Sequence, residues 1–371
     1  LEAERDPLRA EIAELELLLS DPVRVRHLVS HELELVAEKY GTPRRTMLTH
    51  ARPSIATTGS SKQAPVLEHV DVPCQVILST TGRVIRVDVT EDADVPPRAS
   101  RRTKHDAIRA SVLSTSRTEV GAVTSTGRII RLSPMDLPVV PASSIQLAAG
   151  VKVTDYLAID SKRERVVTLV SLTSDDPVAL GTKQGVVKRV IPADYPQRPD
   201  FDVISLKAGD EVVGASQSPD DDELVFITSD AQLLRFPASA VRPQGRSAGG
   251  MAGIKLSASA EVVFFAALGA ADETVVATIS TSATTIAGTD PGRAKVSHLS
   301  EFPGKGRATG GVRAHSFLKG EDMLSIAWAG PSPVLAVGSD GSARTLPEAG
   351  ARRDASGTPL DAVVGSIGRE L

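Results

Sequence analysis

Apolar positions follow two different rhythms along this chain. Over the first forty residues they recur at helical spacing: Leu1, Leu8 and Leu15 stand seven apart, as do Ile12 and Leu19. Such a stripe is the seam of a coiled coil. Ser20-Asp21-Pro22 predicts a stop and a restart, with Asp21 capping a second helix and Pro22 at its first position. Val25, Leu28, Val29, Leu33 and Val36 supply that helix's apolar face, and Gly41 with Pro43 ends it. Pro7 predicts a kink in the first helix, or a helix that begins there. Residues 51–63 are small and polar and read as a linker. Beyond them helical spacing gives way to short Val/Ile-rich runs between Gly, Ser, Thr and Asp clusters, an all-β texture.

The β region repeats. Its unit is a strand, a tight turn and a second strand with a basic end. It appears at Val76–Arg86, Ala122–Arg131, Ala179–Arg189 and Val225–Arg235, in degenerate form at Val276–Ile286, and again at Leu335–Arg344. The turn residues are Gly82, Gly127, Gly185, Ala231, Ala283 and Gly341, about 45 to 58 residues apart. That period suits one four-stranded blade per repeat in a radial array of six. Glycine belongs at such turns because they demand positive φ, which Ala231 and Ala283 accept reluctantly.

At 371 residues the chain is long enough for two or three domains or one large array. Aromatic residues are 3% of it, so Val, Ile, Leu and Ala must build the core. No apolar run approaches the roughly 20 residues that span a bilayer, and the acidic start is not a signal peptide. Cys74 is the single cysteine, which excludes an internal disulfide and a cysteine-rich metal site. These features fit the cytoplasm. Net charge is −4, mildly unfavourable to nucleic acid, but local fields decide phosphate binding. Between residues 98 and 131 lie Arg98, Arg101, Arg102, Lys104, Arg109, Arg117, Arg128 and Arg131 against Asp106 and Glu119 alone.

In a radial array equivalent positions share one zone. The strand-end residues Arg86, Arg131, Lys188, Arg189 and Arg235 therefore form an expected ring of positive charge that follows a phosphate backbone. Two glycine-rich basic segments join them. One runs from Arg242 to Leu256 and carries Arg246 and Lys255; the other, residues 304–313, carries Lys305, Arg307 and Arg313. Glycine admits backbone N–H groups close to an anion, and arginine forks onto phosphate oxygens. Neither segment is a P-loop, since no helix follows. The plainer alternatives are solvated strand ends and tight blade connections.

Enzyme constellations are poorly represented. His27 and His31 are four apart on a helix, but no third ligand accompanies them, and Leu35 breaks any His-Glu-x-x-His pattern. The acids at 220–223 suit a solvated turn, and Cys74 suits burial at a strand start. No Gly-x-Ser-x-Gly elbow occurs.

At these residues the chain resembles a known family. Arg242–Leu256 looks like the Arg-Pro-x-Gly-Arg-x-x-x-Gly-x-x-Gly-Ile-Lys-Leu segment of gyrase and topoisomerase IV A subunits, and residues 306–322 resemble its counterpart in a later blade. Gly41-Thr42-Pro43-Arg44-Arg45-Thr46 resembles the exit from the coiled coil of the breakage-reunion domain. The resemblance implies a mainly β fold. Residues 1–50 would be the helical end of that coiled coil, 51–63 a linker, and 64–371 a six-bladed β-pinwheel that binds and bends duplex DNA. It implies no cofactor here, with ATP and Mg used elsewhere in the holoenzyme. The implied partners are double-stranded DNA, a B (ATPase) subunit, plus a second A subunit, in the bacterial cytoplasm at the nucleoid, with no membrane. The family's catalytic tyrosine follows an arginine, whereas Tyr40, Tyr156 and Tyr195 follow Lys, Asp and Asp, so the nucleophile is expected to be absent. Gyrases carry a Gln-Arg-Arg-Gly-Gly-Lys-Gly box in the first blade, yet residues 87–110 contain no glycine. That departure favours topoisomerase IV over gyrase. Two competing readings are a protein-interaction propeller, which lacks Trp-Asp repeats here, and a glycan-handling propeller, which lacks recurrent paired carboxylates.

Overall fold

In the computed structural model the described residues are 2–41, 70–89, 102–269, 273–286 and 288–371. The chain divides into two compact units, Leu1–Glu68 and His69–Leu371. The expected linker, and with it the boundary between helical and β parts, lies outside the described residues.

The first unit contains α1 (Glu2–Ser20) and α2 (Pro22–Tyr40). Asp21 interrupts them: its carboxylate accepts the Val23 amide at 2.9 Å, and Pro22 occupies the first turn, where a missing N–H costs nothing. The Gly41 amide closes α2 on the Ala37 carbonyl. Pro7 neither starts nor stops α1, which runs through it from Glu2. So close to the N-terminus a proline removes little hydrogen bonding. Leu8, Ile12, Leu15 and Leu19 are all exposed.

The second unit is mainly β. Each hairpin is flanked on its inner side by a third strand, and each of the first five also on its outer side by a short strand that arrives from farther along the chain; Ala343–Arg344 of the sixth is an edge strand among the described residues. One four-stranded sheet is ordered Val166–Ser171, Val120–Thr124, Arg128–Leu132 and Asp200–Asp202. The next runs Val212–Gln217, Val178–Thr182, Val186–Val190 and Met251–Ala252. A third runs Val262–Leu268, Glu223–Thr228, Gln232–Pro237 and Val312–Arg313, and a fourth Met323–Pro331, Thr274–Thr281, Arg293–His298 and Thr358–Pro359. The first and last hairpins share a seven-stranded sheet, joined where Arg369 pairs with Ile108. Six hairpins therefore occupy five sheets.

The hairpins turn at Gly82, Gly127, Gly185, Ala231 and Gly341, with φ of 82°, 82°, 81°, 58° and 79°. The fifth departs from expectation. Its first strand ends at Thr281, and its second is Arg293–His298, reached through Gly292 (φ 70°), instead of the run ending at Ile286. Ala283 supplies no glycine-like turn, so the chain loops on through Gly288 (φ 83°) and enters the second strand from Gly292.

Apolar faces of neighbouring sheets form the core. Val76, Leu78 and Val84 pack with Val120, Ala122, Leu132 and Leu169; farther round, Phe226, Phe236 and Phe265 gather with Val187 and Ile254. Each such side chain contributes about 1.5–3 kcal/mol on burial, which lets a chain this poor in aromatics hold its sheets together. The innermost strands converge on a cavity of about 570 Å³ lined by residues such as Ile108, Val167, Phe265, Trp328 and Ile367.

Candidate functional site

Five times the chain leaves a hairpin and reaches back to the turn of the preceding one, and once, after the first hairpin, it reaches the turn of the last. The amide of Val153 bonds the Gly82 carbonyl, Val203 bonds Gly127, Gly253 bonds Gly185, Ala314 bonds Ala231, Leu360 bonds Gly292, and His105 bonds Gly341, all between 2.7 and 3.1 Å. The residue before each of the first five pairs with the strand that follows the turn: Lys152 with Arg83, Asp202 with Arg128, Ala252 with Val186, Arg313 with Gln232 and Pro359 with Arg293. Counting from these anchors places Arg246, Arg307 and Arg353 at one equivalent position, seven residues before Gly253, Ala314 and Leu360.

Four of these connections, those that reach Gly127, Gly185, Ala231 and Gly292, are also bonded to one another in series. The Ser205 amide reaches the Ala248 carbonyl (3.2 Å), Lys255 reaches Thr309 (3.0 Å) and Ser316 reaches Ala355 (3.1 Å). The Arg246 guanidinium donates to the Asp202 carbonyl (3.3 Å) and lies 6.0 Å from the Phe201 ring centre, while Arg307 donates to the Ala252 carbonyl (2.6 Å). The result is a continuous belt of backbone. Arg246, Arg307 and Arg353 are partly exposed on it, and Arg242, Lys255, Lys305, Arg313 and Arg352 are exposed. Ordered cations at a regular repeat, set in glycine-rich backbone, are the chemistry of a polyanion track.

A family model described as the DNA gyrase C-terminal domain, beta-propeller, matches residues 222–268 and 286–327, which hold the first and the second glycine-rich segment respectively. The A subunit of DNA gyrase from Mycobacterium leprae is 26% identical over 318 residues, covering 82% of this chain. That of Streptomyces coelicolor is 28% identical over 336 residues, covering 86%. The chain spans 23% and 37% of those two proteins. The C-terminal domain of DNA topoisomerase IV superposes with a TM-score of 0.61 at 18% identity, over 81% of this chain and 93% of that one. The DNA gyrase A C-terminal domain gives 0.55 at 16%, over 81% and 100%. In sequence and in fold the chain is similar to the C-terminal parts of type IIA topoisomerase A subunits. Its second unit has the β-pinwheel fold of that family.

Within that family frame, the expected ring of strand-end cations needs correction. Lys188 and Arg189 are fully buried. Arg189 donates to the carbonyls of Ala238 (3.1 Å), Val241 (3.2 Å) and Ser218 (2.6 Å) and pairs with Asp220. Arg86 is held by Asp88 and the Pro134 carbonyl, and Arg235 by Glu223 and the Phe302 carbonyl. Arg131 is held by Glu119 and the carbonyls of Pro196 and Arg198. A guanidinium offers five donors in a fixed fork, and at this strand end the fork fastens the connection to the sheet. These arginines are staples, not contacts.

Arg128 is similarly engaged, by Glu164 at 2.6 Å and by Asp200, and it holds the Glu164 carboxyl down to about 2. Arg102 forms a two-pronged pair with Asp106 and donates to the Ala336 carbonyl, while Lys104 is exposed beside it. Arg98 and Arg101 lie outside the described residues. Of the expected cations, the structure brings together Arg242, Arg246, Lys255, Lys305, Arg307 and Arg313 along the belt. Sequence reasoning missed Arg352 and Arg353. Their signal was positional: Arg353 aligns with Arg246 and Arg307 only after the fifth turn is placed at Gly292. Tyr195 is buried, and the Tyr156 hydroxyl donates to the Ser133 carbonyl.

Proposed function

We propose that this chain binds duplex DNA along the belt of connections and bends it, serving a type IIA topoisomerase as a non-catalytic wrapping module. The observation that carries this reading is the equivalence of Arg246, Arg307 and Arg353 on one hydrogen-bonded backbone track. Bending duplex over a few tens of base pairs costs on the order of 1–6 kcal/mol, so several phosphate contacts must act together. A repeated cation supplies them. We read the shared seven-stranded sheet as two fused blades, which makes the pinwheel six-bladed and closes its ring. In the whole enzyme, the DNA would be presented to an ATP-driven strand-passing core that pairs two A subunits with B subunits, in the cytoplasm at the nucleoid. The helices α1 and α2 would end the coiled coil of that core.

The glycine-free stretch from 87 to 110 supports a topoisomerase IV-like role in relaxation and decatenation. The gyrase A subunits among the sequence relatives favour a second reading, a gyrase wrapping domain. Two measurements test these readings. The 371-residue chain should bind linear duplex without sequence preference, with affinity falling steeply between about 50 and 200 mM salt. Salt-indifferent binding would count against a DNA role. Ligation of nicked plasmid in its presence reports the imposed linking-number change. A large change of one sign supports the gyrase reading, and a small one the topoisomerase IV reading.

A further inference from the structure

Two lysines occupy an unusual place beneath the belt. Lys188 stands three residues after the Gly185 turn and Lys295 three after the Gly292 turn, so they are equivalent. Both are buried, with 0% and 2% of their surface exposed. The Lys188 ammonium donates to the carbonyls of Val203 (2.7 Å), Arg246 (2.8 Å) and Ala248 (2.8 Å), which uses all three of its protons. Lys295 donates to the carbonyls of Arg352 (3.1 Å) and Arg353 (2.5 Å). Each ammonium thus grips the peptide carbonyl of the belt arginine itself. The neighbouring strand residue grips the same connection through its backbone, the Arg189 carbonyl taking the Gln244 amide and the Val296 carbonyl taking Gly350. Beneath Arg307 the equivalent position is Leu234. There Lys305, from the connection, folds onto the Gly310 and Gly311 carbonyls at 3.5 and 3.3 Å.

A buried ammonium is expensive to desolvate, and apolar side chains serve this position elsewhere: Ile85 in the first hairpin and Leu234 in the fourth. Packing alone therefore does not call for lysine. We propose that Lys188 and Lys295 are positioning residues that fix Arg246 and Arg353 on the belt for contact with DNA phosphates. This rests on the DNA-binding reading above. Their charge is answered by carbonyl dipoles, so it also adds to the positive field under the track.

Burial pulls both ammonium groups down to about 8, Arg246 adding to the effect on Lys188 and Arg353 to that on Lys295, where Asp354 opposes it. His315 also faces Lys295, but burial holds it at about 4, so it stays neutral through the range used below. The clamp consequently loosens between pH 7 and 9, well before the exposed lysines lose charge.

The test measures binding of the 371-residue chain to a short linear duplex for wild type, Lys188→Met and Lys295→Met, with Arg246→Ala as the reference for direct contact. Each methionine variant is expected to bind roughly tenfold more weakly at pH 7, because a contact that must be ordered on binding is weaker than one already in place. Wild-type affinity should fall further from pH 7 to 9 than that of the double methionine variant. Amide exchange should lose protection at 244–250 in Lys188→Met and at 350–355 in Lys295→Met, while the sheet strands keep theirs. Wild-type affinity at both methionine variants, or equal pH profiles, would overturn the positioning role. So would loss of protection throughout the sheets, which marks a fold defect. Salt-indifferent binding by wild type would instead sink the DNA reading beneath it.

Discussion

Replacing Arg189 with methionine separates a staple from a contact. The methionine keeps most of the volume but abandons three carbonyls, at Ser218, Ala238 and Val241, inside a site where Arg189 is 1% exposed. Each buried carbonyl left without a donor costs about 1–3 kcal/mol, part of which relaxation recovers. The pair with Asp220 adds little, since that carboxylate is 78% exposed and screened by solvent. The expected loss is about 3–5 kcal/mol, within the range for breaking a buried charged network. With a urea dependence of about 3 kcal/mol per molar for a domain of this size, the unfolding midpoint should drop by about 1–1.7 M. DNA affinity, measured well below that midpoint, should keep the wild-type slope against salt, because no phosphate contact has gone. A loss under about 1 kcal/mol, or a shallower salt slope at unchanged stability, would refute the staple assignment.

Other outcomes follow from the same geometry. Alanine at Arg246, Arg307 or Arg353 should each reduce the slope of log affinity against log salt by about 0.9, read by fluorescence titration at several salt concentrations; unchanged slopes would remove that arginine from the interface. A Cβ at Gly127 would meet the Ile204 side chain at 2.6 Å in a backbone of φ 82°, so Gly127→Ala should lower the thermal midpoint, by about 1–3 kcal/mol in stability. His315 is held at about 4 by burial and accepts the Gly357 amide through Nε2, whereas the unfolded ring titrates near 6.5. The unfolded state binds the extra proton, so this contribution is complete above pH 6.5 and is lost as pH falls toward 4; urea midpoints at pH 7 and 4.5 should differ less in His315→Asn than in wild type.

The hairpins were legible because their signal is local. Gly82, Gly127, Gly185 and Gly341 mark turns that need positive φ, and the flanking Val/Ile runs mark strands. The exchanged outer strands were not legible: Met251–Ala252 and Val312–Arg313 are two residues long and too short to show alternation. The fifth turn misled for a related reason, since Ser282-Ala283-Thr284 mimics the spacing of a turn without its glycine. Cation roles were the hardest to read. Arg189 and Arg246 are the same residue type in similar company, and only the third dimension sends one inward to carbonyls and leaves the other partly exposed. Lys188 looked like a strand-end charge, although in the alternation of its strand it shares the position of the buried Leu234.

The outer strands that pass backward to earlier sheets also set an order for synthesis. The sheet around Val120–Leu132 is not complete until Asp200–Asp202 has been made, and the sheet around Thr274–His298 waits for Thr358–Pro359, close to the end of the chain. On the ribosome each repeat therefore stays unfinished until its successor emerges. The seam between Ile108 and Arg369 forms after all of these, and a translation product that stops before Thr358 lacks both the seam and the outer edge of the fifth hairpin's sheet.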